Sequence, residues 1–206
     1  MVVQTRRISL DEFMALPDDG NRHEFVRGEV RTMPPPKGEH GHIEHALLAA
    51  VDRYLEGHAR MLGWEPAQGL GARDRLAGYV AGGEFGLKFA VPDDPAQIRG
   101  ADGIFIPVEQ LASVTWDRNE YFPTVPHLVV EVISPSESAD DVAEKVQDYL
   151  AGGAHRVWCV YPRRHVVHIY DIDGPLRVVG AGGSLTDEEL LPGFSLPLNL
   201  IFSDLP

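Results

Sequence analysis

Apolar and polar positions fall into their clearest order between residues 125 and 149. Leu128, Val129, Val130, Val132 and Ile133 form an apolar, largely β-branched run of the length a central strand needs. Glu131 interrupts it, and an ionised carboxylate among buried valines is costly unless a cation or hydrogen-bond donors meet it. Ser134-Pro135-Ser136 closes the strand, because proline cannot continue a ladder and turns the residue before it away from helix. Ser138 or Asp140 then caps a helix running to about Ala151, with Gly152-Gly153 as its stop. Asp141, Lys145 and Tyr149 are spaced one turn apart and share a face of that helix.

The same patterning predicts the remaining elements. Ser9 to Leu16 reads as a short helix with a capping box formed by Ser9 and Glu12. Residues 22 to 33 read as a hairpin turning at Arg27-Gly28. From Glu39 to Gly57 comes the longest helical pattern, with Ile43, Leu47, Leu48, Val51 and Leu55 on one stripe. Residues 58 to 83 are rich in glycine and alanine and predict little. Phe85 to Val91 alternates like a strand, Pro92 to Pro95 is a turn, and Gly103 to Ile106 is a short apolar strand. A second hairpin spans Val157 to Tyr161 and His165 to Tyr170, and the tail from Leu176 to Leu205 holds short strand-like pieces. Helix, hairpin, long helix, strands, central strand, helix and hairpin in that order predict an α/β domain, a mixed central β-sheet flanked by helices.

At 206 residues the chain is long enough for one sizeable core, and nothing in it marks a second domain, so the expectation is a single domain over 1–206. The one cysteine, Cys159, lies in an apolar strand pattern, which excludes a disulfide framework and agrees with a reducing compartment. No run approaches the length of a membrane span, and the expected location is cytoplasmic. A net charge of −13 argues against non-specific binding of polyanions. It leaves room for a locally basic site, or for one where divalent cations offset the carboxylates.

Asp102, Glu131 and Lys145 are the first candidate constellation. Asp102 stands just before the strand at Gly103, and Glu131 lies inside its own strand. If the two strands are neighbours, both carboxylates address one spot suited to Mg²⁺ or Mn²⁺. Such a cation activates water and stabilises charge on a phosphate, and an ammonium adds to that stabilisation. The plain alternative makes Asp102 a turn residue, Glu131 an edge-strand charge and Lys145 a solvated lysine. His40, His42 and His45 cluster at the start of the long helix, but offsets of two and five do not bring three imidazoles to one face. Glu84 and Lys88 share a strand face without an aspartate at a suitable distance. Gly69-Leu70-Gly71 and Gly180 to Gly183 lack the context of a phosphate loop and read as turns.

Several of these pieces together resemble a known family. Glu24-Phe25-Val26-Arg27-Gly28-Glu29, the helix from His40, Ala101-Asp102, Glu131-Val132-Ile133-Ser134-Pro135-Ser136, and Asp141, Lys145 and Tyr149 followed by Gly152-Gly153 are similar in order and spacing to the Uma-two-type restriction endonuclease family. The resemblance spans nearly the whole chain. It implies the PD-(D/E)XK nuclease superfamily, a restriction-endonuclease-like fold and Mg²⁺-dependent cleavage of phosphodiester bonds. It further implies Asp102 and Glu131 as metal ligands with the backbone carbonyl of Val132 as a third, and a nucleic-acid partner, DNA in the first instance. Nucleases of this fold often pair, so a homodimer is a further expectation. The superfamily expects lysine two residues after the glutamate, where this chain has Ile133, and Lys145 on the following helix is the natural replacement. Glu24, as an extra ligand or water-orienting group, and His40 form a second tier. For Glu24 a cross-strand pairing with an arginine such as Arg31 is the alternative. A non-catalytic binding or interaction protein on the same fold is the alternative for the whole chain, favoured by the acidic charge and by Ile133.

Overall fold

The computed structural model describes residues 7–61 and 78–202. Ser9 caps α1 (Leu10–Met14), closing the reciprocal box with Glu12. The hairpin β1 (Arg22–Val26) and β2 (Glu29–Met33) turns at Arg27 and Gly28, both with positive φ, the geometry that matches the twist of a two-residue hairpin. The long helix α2 (Gly38–Met61) buries Ile43, Leu47, Val51 and Leu55 along its predicted stripe. The next two strands are longer than patterning predicts: β3 (Tyr79–Val91) and β4 (Asp94–Ile106) form one antiparallel hairpin. Charged and glycine-rich stretches conceal their length, because local pattern does not register a charge that finds its partner on another element. A helix that patterning does not anticipate, α3 (Val108–Ser113), follows. Then come β5 (Leu128–Val132), α4 (Ala139–Ala151), β6 (Arg156–Tyr161) and β7 (Val166–Asp171). Last are β8 (Arg177–Gly180), β9 (Ser184–Asp187) and β10 (Leu191–Pro197). The turn expected at residues 69–71 lies outside the described residues.

The main sheet runs β2-β1-β4-β5-β6-β7-β8, with β3 on the other edge of β4. Among the described strands only β5 and β6 pair in parallel, and α4 makes the crossover between them. β5 is buried on both faces. Val130 and Val132 pack with Trp158 and Val160 against α2, and Val129 and Ile133 pack with Val157 and Cys159 against α4. The two-stranded sheet of β9 and β10 seals the α2 side with Leu185, Leu191, Phe194 and Leu196. The result is the mixed sheet between helices that the order of elements predicts.

One irregularity positions everything that follows. Along the edge of β4 that faces away from β3, β1 pairs at Ile98 and β5 pairs from Gly103 to Phe105. Between Ile98 and Gly103 no strand among the described residues covers that edge. Two carboxylates fill the gap in the ladder: Glu24 accepts the N–H of Gly100 at 3.1 Å, and Asp102 accepts the N–H of Val132 at 2.7 Å. The faces of β4 also exchange here. Arg99 and Ala101 point to the α4 side, whereas Phe105 and a Cβ placed on Gly103 point to α2. Opposite this point β3 carries a bulge between Gly82 and Phe85, with Gly83 and Glu84 both at positive φ.

Candidate active site

Asp102 sits at that reversal, 2 % exposed. Extending the β4–β5 register by one step sets it opposite Glu131, since Gly103 pairs with Val130. Cross-strand neighbours are close enough to feel each other's charge. From α4, the Lys145 ammonium donates to Glu131 Oε2 at 3.0 Å and to Glu137 Oε1 at 3.3 Å. One turn further on, the Tyr149 hydroxyl donates to Glu131 Oε1 at 2.7 Å. The helical face shared by Lys145 and Tyr149 therefore supplies the partners that a buried glutamate requires. Asp141, on the same predicted face, closes the capping box with Ser138 instead.

Glu24 enters from β1 and is as buried as Glu131. Its oxygens accept from Arg22 at 3.1 Å, from Arg99 at 3.3 Å and from Gly100. Arg31, its register partner, turns instead to Glu144 on α4. Arg22 lies over Gly100, where an added Cβ would stand 3.1 Å from the guanidinium Nε. Its other contacts are Glu84 at 3.1 Å, Asp102 Oδ1 at 3.6 Å and the Gly100 carbonyl.

From α2, His40 brings Nε2 to 3.1 Å from Asp102 Oδ1, and neither atom makes a well-aligned hydrogen bond. Glu44, one turn along the helix, accepts the N–H of Gly83 from the β3 bulge at 2.6 Å. Ligand atoms of His40, Glu44 and Asp102 lie within 4.8 Å of one another. His42, half-buried, and His45, exposed, stand outside that group. Lys88 is exposed, and Glu84, turned by the bulge, serves Arg22.

Charge follows from these contacts. Burial pushes the Glu131 carboxyl up to about 7, helped by the Asp102 charge and opposed by Lys145, Arg22 and the Tyr149 hydrogen bond. Burial works against the charge on Lys145, but Glu131, Glu24 and Glu137 outweigh it and hold the ammonium above its usual range. Asp102 and Glu24 are pushed up by burial too. His40, the Val132 N–H and Arg22 hold Asp102 below the usual carboxylate range, and Lys145, Arg99 and Arg22 do the same for Glu24. His40 is raised, burial being overcome by Asp102, Glu44 and Glu131. Glu44 is raised by burial and by the charges of Asp102 and Glu84.

Three members of this cluster escape the sequence reading: Arg22, Arg99 and Glu44. The arginines carry little local signature, because apart from Glu24, two residues from Arg22 on β1, their carboxylate partners lie on other elements. Glu44 has one, since His40-Gly41-His42-Ile43-Glu44 sets two ligand types a single helical turn apart. The donor set fits a divalent cation. A buried carboxylate oxygen without a hydrogen bond, Asp102 Oδ1, opens toward an imidazole nitrogen and a second carboxylate.

A mixed sheet between helices, with acidic side chains gathered where a strand pair opens at its centre, defines an α/β fold of the nuclease-like, restriction-endonuclease type. The chain belongs to the Uma2 family, described as “Putative restriction endonuclease”, whose model matches residues 10–199. Among solved structures it is similar to the one described as “a putative nuclease belonging to DUF820” from Anabaena variabilis, with a TM-score of 0.72 and 19% identity over 95% of this chain and 98% of that one. That likeness shows the fold. No curated protein matches the chain. Among the described residues, no helix is long and apolar enough to cross a membrane.

Proposed function

We propose that the protein is a divalent-metal-dependent nuclease that hydrolyses phosphodiester bonds of nucleic acid, DNA in the first instance. The observation that carries this reading is a buried carboxylate oxygen left open on Asp102, across the β4–β5 pair from Glu131, which Lys145 reaches from α4. Membership of the Uma2 family supports it. Asp102 anchors the cation, Mg²⁺ or Mn²⁺, with Glu131 as the carboxylate across the strand pair and the Val132 carbonyl beside it. A bound cation would supply an activated water and stabilise negative charge on the phosphate.

The remaining steps belong to this chain's own residues. Lys145, held charged by its carboxylates, offers an ammonium to the non-bridging phosphate oxygens as charge builds there. Glu131, bonded to Lys145 at 3.0 Å, would hold the cation beside Asp102 and keep the ammonium next to it. Tyr149 orients Glu131 by its hydrogen bond, and Glu24 fixes Arg22 and Arg99 beside it. Each of these groups has its position set before substrate arrives.

The test is cleavage of supercoiled plasmid and of single-stranded oligonucleotides with Mg²⁺, with Mn²⁺ or with chelator. Wild-type protein is expected to cut only with a cation, and Asp102→Asn and Glu131→Gln to lose at least about 100-fold in rate, as removal of a positioned charge costs. Cleavage that survives either substitution in a folded protein overturns the assignment. Absence of cutting on every substrate returns the chain to the reading of a non-catalytic binding protein on this fold.

A further inference from the structure

Lone pairs are not distributed evenly around Asp102. Glu131 has both oxygens bonded, to Lys145 at 3.0 Å and Tyr149 at 2.7 Å. Glu24 likewise has both bonded, and Asp102 Oδ2 accepts from Val132. The open position is Asp102 Oδ1, which faces α2, with His40 Nε2 at 3.1 Å and equally without a hydrogen bond. A buried carboxylate oxygen and a buried imidazole nitrogen 3.1 Å apart without an aligned hydrogen bond, the Arg22 guanidinium no nearer that oxygen than 3.6 Å, leave room for a third party.

We infer that His40 and Glu44 are ligands of the cation anchored on Asp102, and that this imidazole-plus-carboxylate set selects a transition-metal ion such as Mn²⁺ over Mg²⁺. The inference rests on the reading of the site as a cation site and names which ion it takes. Three observations carry it. His40 and Glu44 are one helical turn apart, so one face of α2 presents both. Their ligand atoms and that of Asp102 lie within 4.8 Å of one another.

Glu44 is, in addition, held in place rather than left to swing. Its Oε1 accepts the Gly83 N–H at 2.6 Å, and the β3 backbone comes so near that a Cβ on Gly82 would stand 2.8 Å from that oxygen and 2.9 Å from the Asp102 carbonyl. The bulge that brings Gly83 there keeps Glu84, a non-glycine residue, at φ 64°, a conformation that persists only where its surroundings enforce it. Mg²⁺ prefers an all-oxygen octahedron and keeps its waters, whereas a nitrogen ligand favours the first-row transition ions. An imidazole at this position thus separates the two classes of ion.

Isothermal titration with Mn²⁺ alone and with Mg²⁺ alone, on folded full-length protein, reads the selectivity. Wild type is expected to bind Mn²⁺ at least about tenfold tighter than Mg²⁺, and His40→Gln to weaken Mn²⁺ by at least about tenfold while changing Mg²⁺ little, so that the preference collapses. Glu44→Gln weakens both ions. His45→Gln, an exposed change on the same helix outside the cluster, leaves both as in wild type. Pulsed EPR of the Mn²⁺-loaded wild type needs no variant and is expected to show nitrogen hyperfine coupling from the imidazole. Absence of that coupling, or Mn²⁺ affinity unchanged in His40→Gln, overturns the inference. If plasmid cleavage then remains sensitive to Asp102→Asn, the ligand assignment alone has failed. Nitrogen coupling without any cleavage removes the nuclease reading and leaves the ligand assignment in place.

Discussion

Glu131 is a buried carboxylate inside an apolar strand and demands partners from its surroundings. It is buried, bonded on both oxygens, and its pKa is raised to about 7 chiefly by loss of solvent. A carboxyl raised on folding binds its proton more tightly in the native state. Its contribution to stability is therefore full below the unfolded value near 4.5 and is lost as pH rises through about 7. Urea unfolding of wild type and Glu131→Gln at pH 5 and pH 7.5 checks the sign. The variant should lose less stability than wild type between the two; an equal or larger loss contradicts it. Asp102 and Glu24 act in the opposite sense and in a lower window, since their depressed values cost stability only as pH falls below the ordinary carboxylate range. Lys145→Met strands Glu131 and Glu137 without their shared cation. Breaking a buried pair by removing one partner costs roughly 3 kcal/mol, readable as a shift in the urea midpoint at pH 7.5, and an unshifted midpoint refutes the ion pair. At this scale the sequence was informative where chemistry is local. A charge inside an apolar strand announces a need, and Lys145 and Tyr149, spaced one turn apart, announce a way to meet it. Arg22 and Arg99 announced little: Glu24 stands two residues from Arg22 on β1, but their other carboxylate partners come from β3, β4 and α4.

Elements place these residues, and two of them do so through departures from regularity. The helix α4 starts where Ser138 and Asp141 cap each other, which fixes the phase that turns Lys145 and Tyr149 to β5. Ser138→Ala is expected to cost about 1 kcal/mol, with a proportionate drop in thermal midpoint; no drop would show that packing alone sets the start of the helix. The bulge of β3 is the second departure. Gly82→Ala would press a Cβ against Leu48 Cδ1 and set it 2.8 Å from Glu44 Oε1 and 2.9 Å from the backbone oxygen of Asp102, which as backbone has no side-chain freedom with which to yield. The variant is expected to weaken Mn²⁺ binding by about tenfold or more, as displacement of supporting groups does, with its far-ultraviolet circular dichroism retained. Unchanged binding would show that the bulge does not position Glu44. The hairpin at Arg27-Gly28, the capped helices and the apolar stripe of α2 were legible because each rests on contacts a few residues apart. The full length of β3 and β4 was not, since their charged residues are satisfied across the sheet.

For the molecule as a whole, a charge of −13 and an acidic site are obstacles to a polyanion unless cations stand between them. A labelled duplex oligonucleotide is accordingly expected to show no binding in fluorescence anisotropy at 0.15 M salt with chelator, and to bind when Mn²⁺ or Mg²⁺ is added to Glu131→Gln, which should hold the substrate uncut. Equal binding with and without cation would mean that a basic surface, rather than the metal site, recognises the substrate. By itself the sequence determined the class of fold, the central strand with its buried glutamate, the helix that answers it, and the resemblance that joined Asp102 to them. These follow from periodicity, caps and charge placement, which act over a few residues. Tertiary structure alone decided that β4 lies uncovered between β1 and β5, that its faces exchange at Asp102, and that His40, Glu44 and Arg22 close on the opening. Those outcomes depend on which strands become neighbours, and strand neighbours are chosen by the packing of the whole sheet against α2 and α4, which no local pattern encodes.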